Sequence, residues 1–224
     1  MKIIRSTEQT FTSNSYIIIT AKKNAVIIDP NSAESIVKMI GEHQAKVVYI
    51  LLTHEHYDHV CGLGTLKAVC PETILVASKA CSRQLPQVNV QKERFRLYLH
   101  YMGAGRNLEL PDCDLPKADR EFADKLELEL DDCIFSLKST PGHSPGSISI
   151  VLNERYLFAG DSVLPGKDVV VKFSGGDKAM FEREAKPYFM GLTPHLIVLP
   201  GHGNAFLLGK KQAQWLSKKG LCYV

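Results

Sequence analysis

Three of the chain's eight histidines fall in one stretch, Thr53-His54-Glu55-His56-Tyr57-Asp58-His59. His143 follows in Thr140-Pro141-Gly142-His143, Asp161 in Ala159-Gly160-Asp161, and His202 in Pro200-Gly201-His202-Gly203. Neutral imidazole nitrogens and carboxylate oxygens, with no thiolate required, suit Zn²⁺ or another borderline divalent ion. The one-residue gap lets His54 and His56 reach one ion from a turn, and Asp58 and His59 are displaced toward a second position. Seven ligands are too many for one tetrahedral zinc and fit two ions, with three protein ligands each and a shared carboxylate. Such a pair, about 3.5–4 Å apart, can hold a hydroxide between the ions and polarise a carbonyl or phosphoryl oxygen. The metal lowers the pKa of bound water toward ~7 and makes a nucleophile without Ser or Cys. One histidine at a strand end is ordinarily a capping or hydrogen-bonding group, and only the four pieces together turn the reading to metal. His43, His100 and His195 lack such partners and read as surface or packing residues. Cys61 lies two residues after His59, but the His/Asp set leaves it no place as a ligand, so it reads as packing.

Each piece begins where an apolar strand runs out. Val47–Thr53 is continuously apolar, the signature of a strand covered on both faces. Ile134–Ser139 precedes His143, Arg155–Ala159 precedes Asp161, and Leu196–Leu199 precedes His202. Strand-end loops of a layered α/β sheet converge on one edge, where sites are built. The other elements fit that frame. Ser15–Thr20 and Ala25–Asp29 predict a hairpin, with Asp29 closing its second strand. Asp29-Pro30-Asn31-Ser32 supplies an N-cap for a helix over Ala33–His43. Leu126–Leu130 and Ser147–Leu152 add strands, and Lys178–Tyr188 and Leu208–Lys218 add helices. Between them, about 82–124, lies a polar stretch with Pro86, Pro111 and Pro116 and the aromatic group Phe95, Tyr98 and Tyr101, read as a helical excursion over the site. No repeat or linker interrupts residues 1–224, which predicts one domain.

Composition sets the outer bounds. At 224 residues, 45% hydrophobic and 23% charged, the chain is ordinary for a globular protein. No apolar run approaches the roughly 20 residues that span a bilayer, so no integral membrane protein is expected. The opening MKIIRSTEQTFTSNSYIII breaks the apolar stretch of a signal peptide, and a cytoplasmic location is the expectation. The balance of 27 basic against 24 acidic residues is mixed along the chain and argues against nucleic-acid partners. Lys22-Lys23, Lys210-Lys211 and Lys218-Lys219 read as solvated surface. Six cysteines without CxxC spacing read as reduced thiols, several of them small core residues.

His54-x-His56-x-Asp58-His59 followed by His143, Asp161 and His202 resembles the metallo-β-lactamase superfamily over essentially the whole chain. The resemblance implies a four-layer αββα sandwich with metals at one edge of its two sheets. It implies one site of His54, His56 and His143, a second of Asp58, His59 and His202, Asp161 bridging them, and Asp29 supporting the ligands from behind. Asp58 and Asp161 are the catalytic carboxylates of that reading, and the cofactors are two divalent ions, zinc first, with iron or manganese as alternatives. The phrases TPGHSPGSISI, AGDSV and LPGHG look most like the glyoxalase II branch, hydroxyacylglutathione hydrolases that split thioesters such as S-lactoylglutathione. Lys172-Phe173 stands about two residues beyond the place of a Lys-Phe pair that this branch sets near glutathione, and Tyr57 is a further candidate lining residue. Only 22 residues follow His202, where the longer members of that branch carry a helical domain, so the short form is expected.

Other chemistries share this frame. Persulfide dioxygenases resemble the chain too, binding one Fe(II) through the equivalents of His54, His143 and Asp161. A lactonase or other esterase of the superfamily and a non-catalytic metal-binding protein also fit the ligand set. A flavo-diiron reductase would carry Glu at His56, and a nuclease would bring a larger inserted or basic domain. The expected partner is a small-molecule substrate; the oligomeric state is left open.

Overall fold

The computed structural model describes residues 1–101, 110, 112–172 and 175–220. Phe173, Cys222 and the part of the excursion at 102–109 and 111 lie outside the described residues.

The chain opens with β1 (Lys2–Thr7), β2 (Asn14–Ile19) and β3 (Asn24–Ile28), followed by α1 (Ala33–His43) and β4 (Lys46–Leu51). Short helices α2 (Tyr57–Val60) and α3 (Leu63–Val69) lead to β5 (Ile74–Ser78), α4 (Lys79–Gln84) and α5 (Val88–Tyr101). Strand β6 (Arg120–Phe122) closes the first half. The second half runs β7 (Lys125–Leu130), β8 (Cys133–Ser139), β9 (Ile148–Leu152) and β10 (Tyr156–Phe158). Helix α6 (Lys178–Met180) continues through a π-helical turn, Phe181–Ala185, into α7 (Lys186–Gly191), and β11 (Ile197–Leu199), β12 (Phe206–Leu207) and α8 (Leu208–Gly220) follow.

Two six-stranded sheets result, ordered β1-β2-β3-β4-β5-β6 and β12-β11-β10-β9-β8-β7. The period-two alternation of strand side chains explains how they stack. In β2, Tyr16 and Ile18 face the core between the sheets, whereas Ile17 and Ile19 face the core under α1 and α3. In β3, Val26 and Ile28 pair with Ala25 and Ile27 in the same way. The second sheet answers with Leu128, Phe135, Leu137, Ile150 and Phe158 in the central core. Its outer face packs Leu157 and Val198 against Phe181, Phe189 and Trp215 of the C-terminal helices. Three apolar cores separate four layers, the αββα sandwich expected.

The hairpin β2–β3, helix α1 and the later strands match the expected elements closely. Ser32 takes the N-cap position of α1, but its hydroxyl meets Ser35 Oγ at 3.3 Å rather than a backbone N–H. Among its described residues the excursion is helical over α4 and α5, and Arg120–Phe122 joins the first sheet parallel to β5. Lys211 departs from the solvated reading of its pair. It is 2% exposed, and its ammonium donates to Lys167 O and to Gln214 Oε1 (3.1 Å). No helix among the described residues is long and apolar enough to cross a membrane.

Candidate metal centre

Strand direction gathers the site. β3 and β4 run parallel, so Asp29 and the segment Thr53–His59 leave the first sheet at the same end. In the second sheet β8 and β10 are both antiparallel to β9, and β11 is parallel to β10. The three strands that precede His143, Asp161 and His202 therefore end together. Ile148 N donates to Thr53 O (2.8 Å), which joins the two sheets at that edge.

His54, His56 and His143 form one cluster whose ligand-capable atoms all lie within 4.8 Å of one another. Hydrogen bonds fix which nitrogens face inward. His143 Nδ1 lies 2.7 Å from Val170 O, and a carbonyl only accepts, so Nδ1 carries the proton and Nε2 the lone pair. Thr53 Oγ1 donates to Asp29 Oδ2 (2.5 Å) and therefore accepts from His54 Nδ1–H at 3.0 Å, which again leaves Nε2 with the lone pair. His143 Nε2 and His56 Nδ1 approach to 2.9 Å. Burial first, then neighbouring imidazoles, hold His54 well below its ordinary pKa; His56 is lowered to about 3 and His143 to about 4, chiefly by burial. All three are neutral near pH 7, the form that binds metal.

Asp58, His59 and His202 make the second cluster, also within 4.8 Å. Asp58 Oδ2 is 3.2 Å from His202 Nε2 and 3.6 Å from His59 Nε2. Asp161 reaches both clusters: Oδ1 lies 3.5 Å from His59 Nε2, and Oδ2 lies 3.5 Å from His202 Nε2 and 3.8 Å from His143 Nε2. Here carboxylate charge outweighs burial. Burial opposes a charged His59, but Asp58, Asp161 and Asp29 raise it to about 10; burial likewise opposes a charged His202, which Asp161 and Asp58 raise. Burial works to raise Asp58, and His59 and His202 nonetheless hold it far below the usual carboxylate range.

This arrangement fits a cation. His54 Nε2 is buried with no hydrogen-bond partner among the described residues, an expensive state for a lone pair unless an ion takes it up. Imidazole nitrogens and carboxylate oxygens converge in two groups whose ligand atoms lie within 4.8 Å of one another, a donor set suited to a divalent cation. The groups behind these side chains are equally defined. Asp29, at φ +52°, accepts from Thr53 N (2.7 Å) through Oδ1 and lies 3.5 Å from His59 Nδ1 through Oδ2. Ser13 Oγ donates to Asp58 O (2.8 Å), Thr12 Oγ1 lies 3.3 Å from His202 Nδ1, and Tyr16 Oη donates to Pro200 O (2.8 Å). Of these, Asp29 was legible in the sequence, whereas Thr12, Ser13, Tyr16 and Thr53 carry no signal of their own.

The candidate lining residues are less gathered. Tyr57 is 1% exposed and belongs to the core under the first sheet, its ring against Phe11 and Phe95. Lys172 is exposed, two residues beyond the Val170 carbonyl that orients His143. Cys61 donates to Asn31 O at 3.0 Å and packs against the same core as Tyr57. Solvent reaches the centre at His202 and Asp161, whose side chains are 26% and 12% exposed.

A profile of the Metallo-beta-lactamase superfamily matches residues 9–202, which takes in every ligand candidate. The chain belongs to this superfamily. It is 29% identical over 205 residues to the hydroxyacylglutathione hydrolase GloC of Haemophilus influenzae, covering 90% of this chain and 91% of that protein. It is 27% identical over 191 residues to a hydroxyacylglutathione hydrolase of Glaesserella parasuis, covering 85% of this chain but 66% of the relative. Among solved superfamily structures, the BLEG-1 B3 metallo-beta-lactamase superposes with a TM-score of 0.76 at 25% identity, over 95% of this chain and 97% of that one. ETHE1 from Myxococcus xanthus shares the fold at a TM-score of 0.71 and 20% identity, over 95% and 82% of the two chains. Superfamily and relatives support a metal-dependent hydrolase.

Proposed function

We propose that the chain hydrolyses a thioester of the hydroxyacylglutathione type, with His54, His56 and His143 holding one divalent ion, Asp58, His59 and His202 a second, and Asp161 touching both. The observation that carries the reading is the position of Asp161 within 3.8 Å of nitrogens from both clusters. The relatives named hydroxyacylglutathione hydrolase support the substrate class. Two divalent ions held there, zinc first and iron or manganese next, would supply Lewis acidity and lower the pKa of water toward neutrality.

The chain's own residues prepare that chemistry. Asp58, kept ionised by His59 and His202, and Asp161 provide the negative charge that localises the cations beside the exposed face. Thr53 and the Val170 carbonyl hold the protons of His54 and His143 on Nδ1, away from the reacting centre. Developing charge on a carbonyl oxygen then meets a preorganised, low-dielectric surround. A thiolate leaves readily, so a strong general acid is less necessary than in amide cleavage.

Steady-state kinetics on S-lactoylglutathione, with elemental analysis of the same sample, test the proposal. Asp161→Ala is expected to abolish turnover and lower metal content; wild-type values of both would contradict the ligand assignment. One second reading has its own support: His143 Nε2 and Asp161 Oδ2 at 3.8 Å, with the His54 ring 4.9 Å from that of His143, form a two-histidine, one-carboxylate set. A single iron per chain and oxygen uptake with a glutathione persulfide would select a persulfide dioxygenase instead.

A further inference from the structure

Glu55 stands between two ligand candidates and is itself no ligand, yet it is 2% exposed. A buried carboxylate is costly unless its oxygens are hydrogen-bonded. Its partners lie on the other sheet, in the loop that carries His143. Ser144 Oγ donates to Glu55 Oε2 at 3.0 Å, and Gly146 N donates to Oε1 at 3.4 Å. That loop has its own bracing: Ser144 N donates to Ser147 Oγ (3.0 Å), the Ser144 and Ser147 hydroxyls lie 2.9 Å apart, and Ser78 Oγ donates to Gly146 O (2.8 Å). Gly146 is shaped to the contact, because a Cβ there would sit 2.1 Å from Glu55 Oε2 and 2.6 Å from Cys81 Cα.

His56 has extended backbone, φ −68° and ψ 143°, directly after Glu55. His54 and His56 are presented to the cluster, and the carboxylate between them grips the loop of His143. Apart from the ligand candidates' own approach, His143 Nε2 to His56 Nδ1 at 2.9 Å, it is Glu55 that ties the two segments of the first cluster together through side-chain hydrogen bonds. We propose that Glu55 is a positioning residue that clamps the Ser144–Gly146 loop to the His54–His56 segment and so sets the approach of His143 to its two partners. This rests on the reading of His54, His56 and His143 as one metal site.

The test reads metal affinity, not turnover. In a His202→Ala background, which leaves the first cluster as the site under observation, Co²⁺ is titrated against a competing chelator and its visible absorption recorded. Losing a group that orients a ligand typically weakens binding about 10–100-fold. Glu55 orients His143 through Ser144 and Gly146, and Glu55→Ala is expected to weaken Co²⁺ binding about 10-fold or more and to change the Co²⁺ spectrum. Glu55→Gln keeps the length and one acceptor oxygen, and the Ser144 hydroxyl can turn to accept from the new amide. It is expected to restore affinity to within about threefold of the background and to restore the spectrum. Background affinity in Glu55→Ala overturns the proposal, as does a Glu55→Gln variant as weak as Glu55→Ala. If Glu55→Ala does not fold, Ser144→Ala decides: weakened Co²⁺ binding supports the clamp, and unchanged binding overturns it. Failure of the metal-site reading looks different, because the background with Glu55 intact then binds no Co²⁺.

Discussion

Thr53 shows how a single hydroxyl serves the proposed chemistry. It donates a hydrogen bond to Asp29 and accepts one from His54 Nδ1–H, fixing the tautomer that presents Nε2. Thr53→Val keeps the shape and removes both links. The expected result is a fold with unchanged circular dichroism and a metal affinity lowered about 10–100-fold in a chelator competition. The ligand candidates, which the structure brings together in two clusters, were legible in the sequence because metal chemistry restricts residue type and places it just past strand ends. Their supports were not. Ser13 reaches Asp58 across 45 positions and Thr12 reaches His202 across 190, and nothing local marks a serine or threonine for such a contact. The burial of Lys211 was hidden for the same reason, since the carbonyl it reaches lies 44 residues away.

Among the elements, long apolar strands and the capped helix α1 were readable, whereas the pieces between them were not. β6 is three residues long and β12 two, too short for a periodic signal, and Gly62 and Gly64 obscure the short helix α3. The excursion does find a role next to the centre. Phe95 of α5 sets its ring 6.2 Å from that of Tyr57 and 5.3 Å from that of Phe11, so α5 buttresses α2, which carries Asp58 and His59. The loop of His143 is held on its other flank by Gly142, at φ +138°, where an added Cβ would fall 2.4 Å from Phe181 Cβ. Gly142→Ala is therefore expected to destabilise by about 1–3 kcal/mol, and at this chain length each kcal/mol lowers Tm by roughly 2–4 °C. A thermal melt of the variant checks it, and an unchanged Tm would mean that the loop has more freedom than the packing shows.

For the molecule as a whole, the two clusters differ in their response to pH. His56 and His143 are lowered to about 3 and about 4, and burial holds His54 well below its ordinary value, so all three are neutral from pH 6 to 8 and metal binding at their free nitrogens displaces no proton. His59 is raised to about 10, so below that pH an ion must displace its proton, and affinity falls about tenfold for each unit of acidification. Dialysis at pH 8, 7 and 6 against a limiting metal buffer should empty the second cluster first, stepping the metal-to-chain ratio from two to one. Simultaneous loss of both ions would contradict that ordering. The sandwich matters here because three packed cores fix both sheets, and the ligand loops inherit their meeting point from strand direction rather than from contacts of their own.

Anomalous diffraction from crystals of the zinc-loaded protein tests the account most directly. Two peaks are predicted, one among His54, His56 and His143 and one among Asp58, His59 and His202, with Asp161 in contact with both. Peaks elsewhere, or none among these side chains at full zinc saturation, would contradict it.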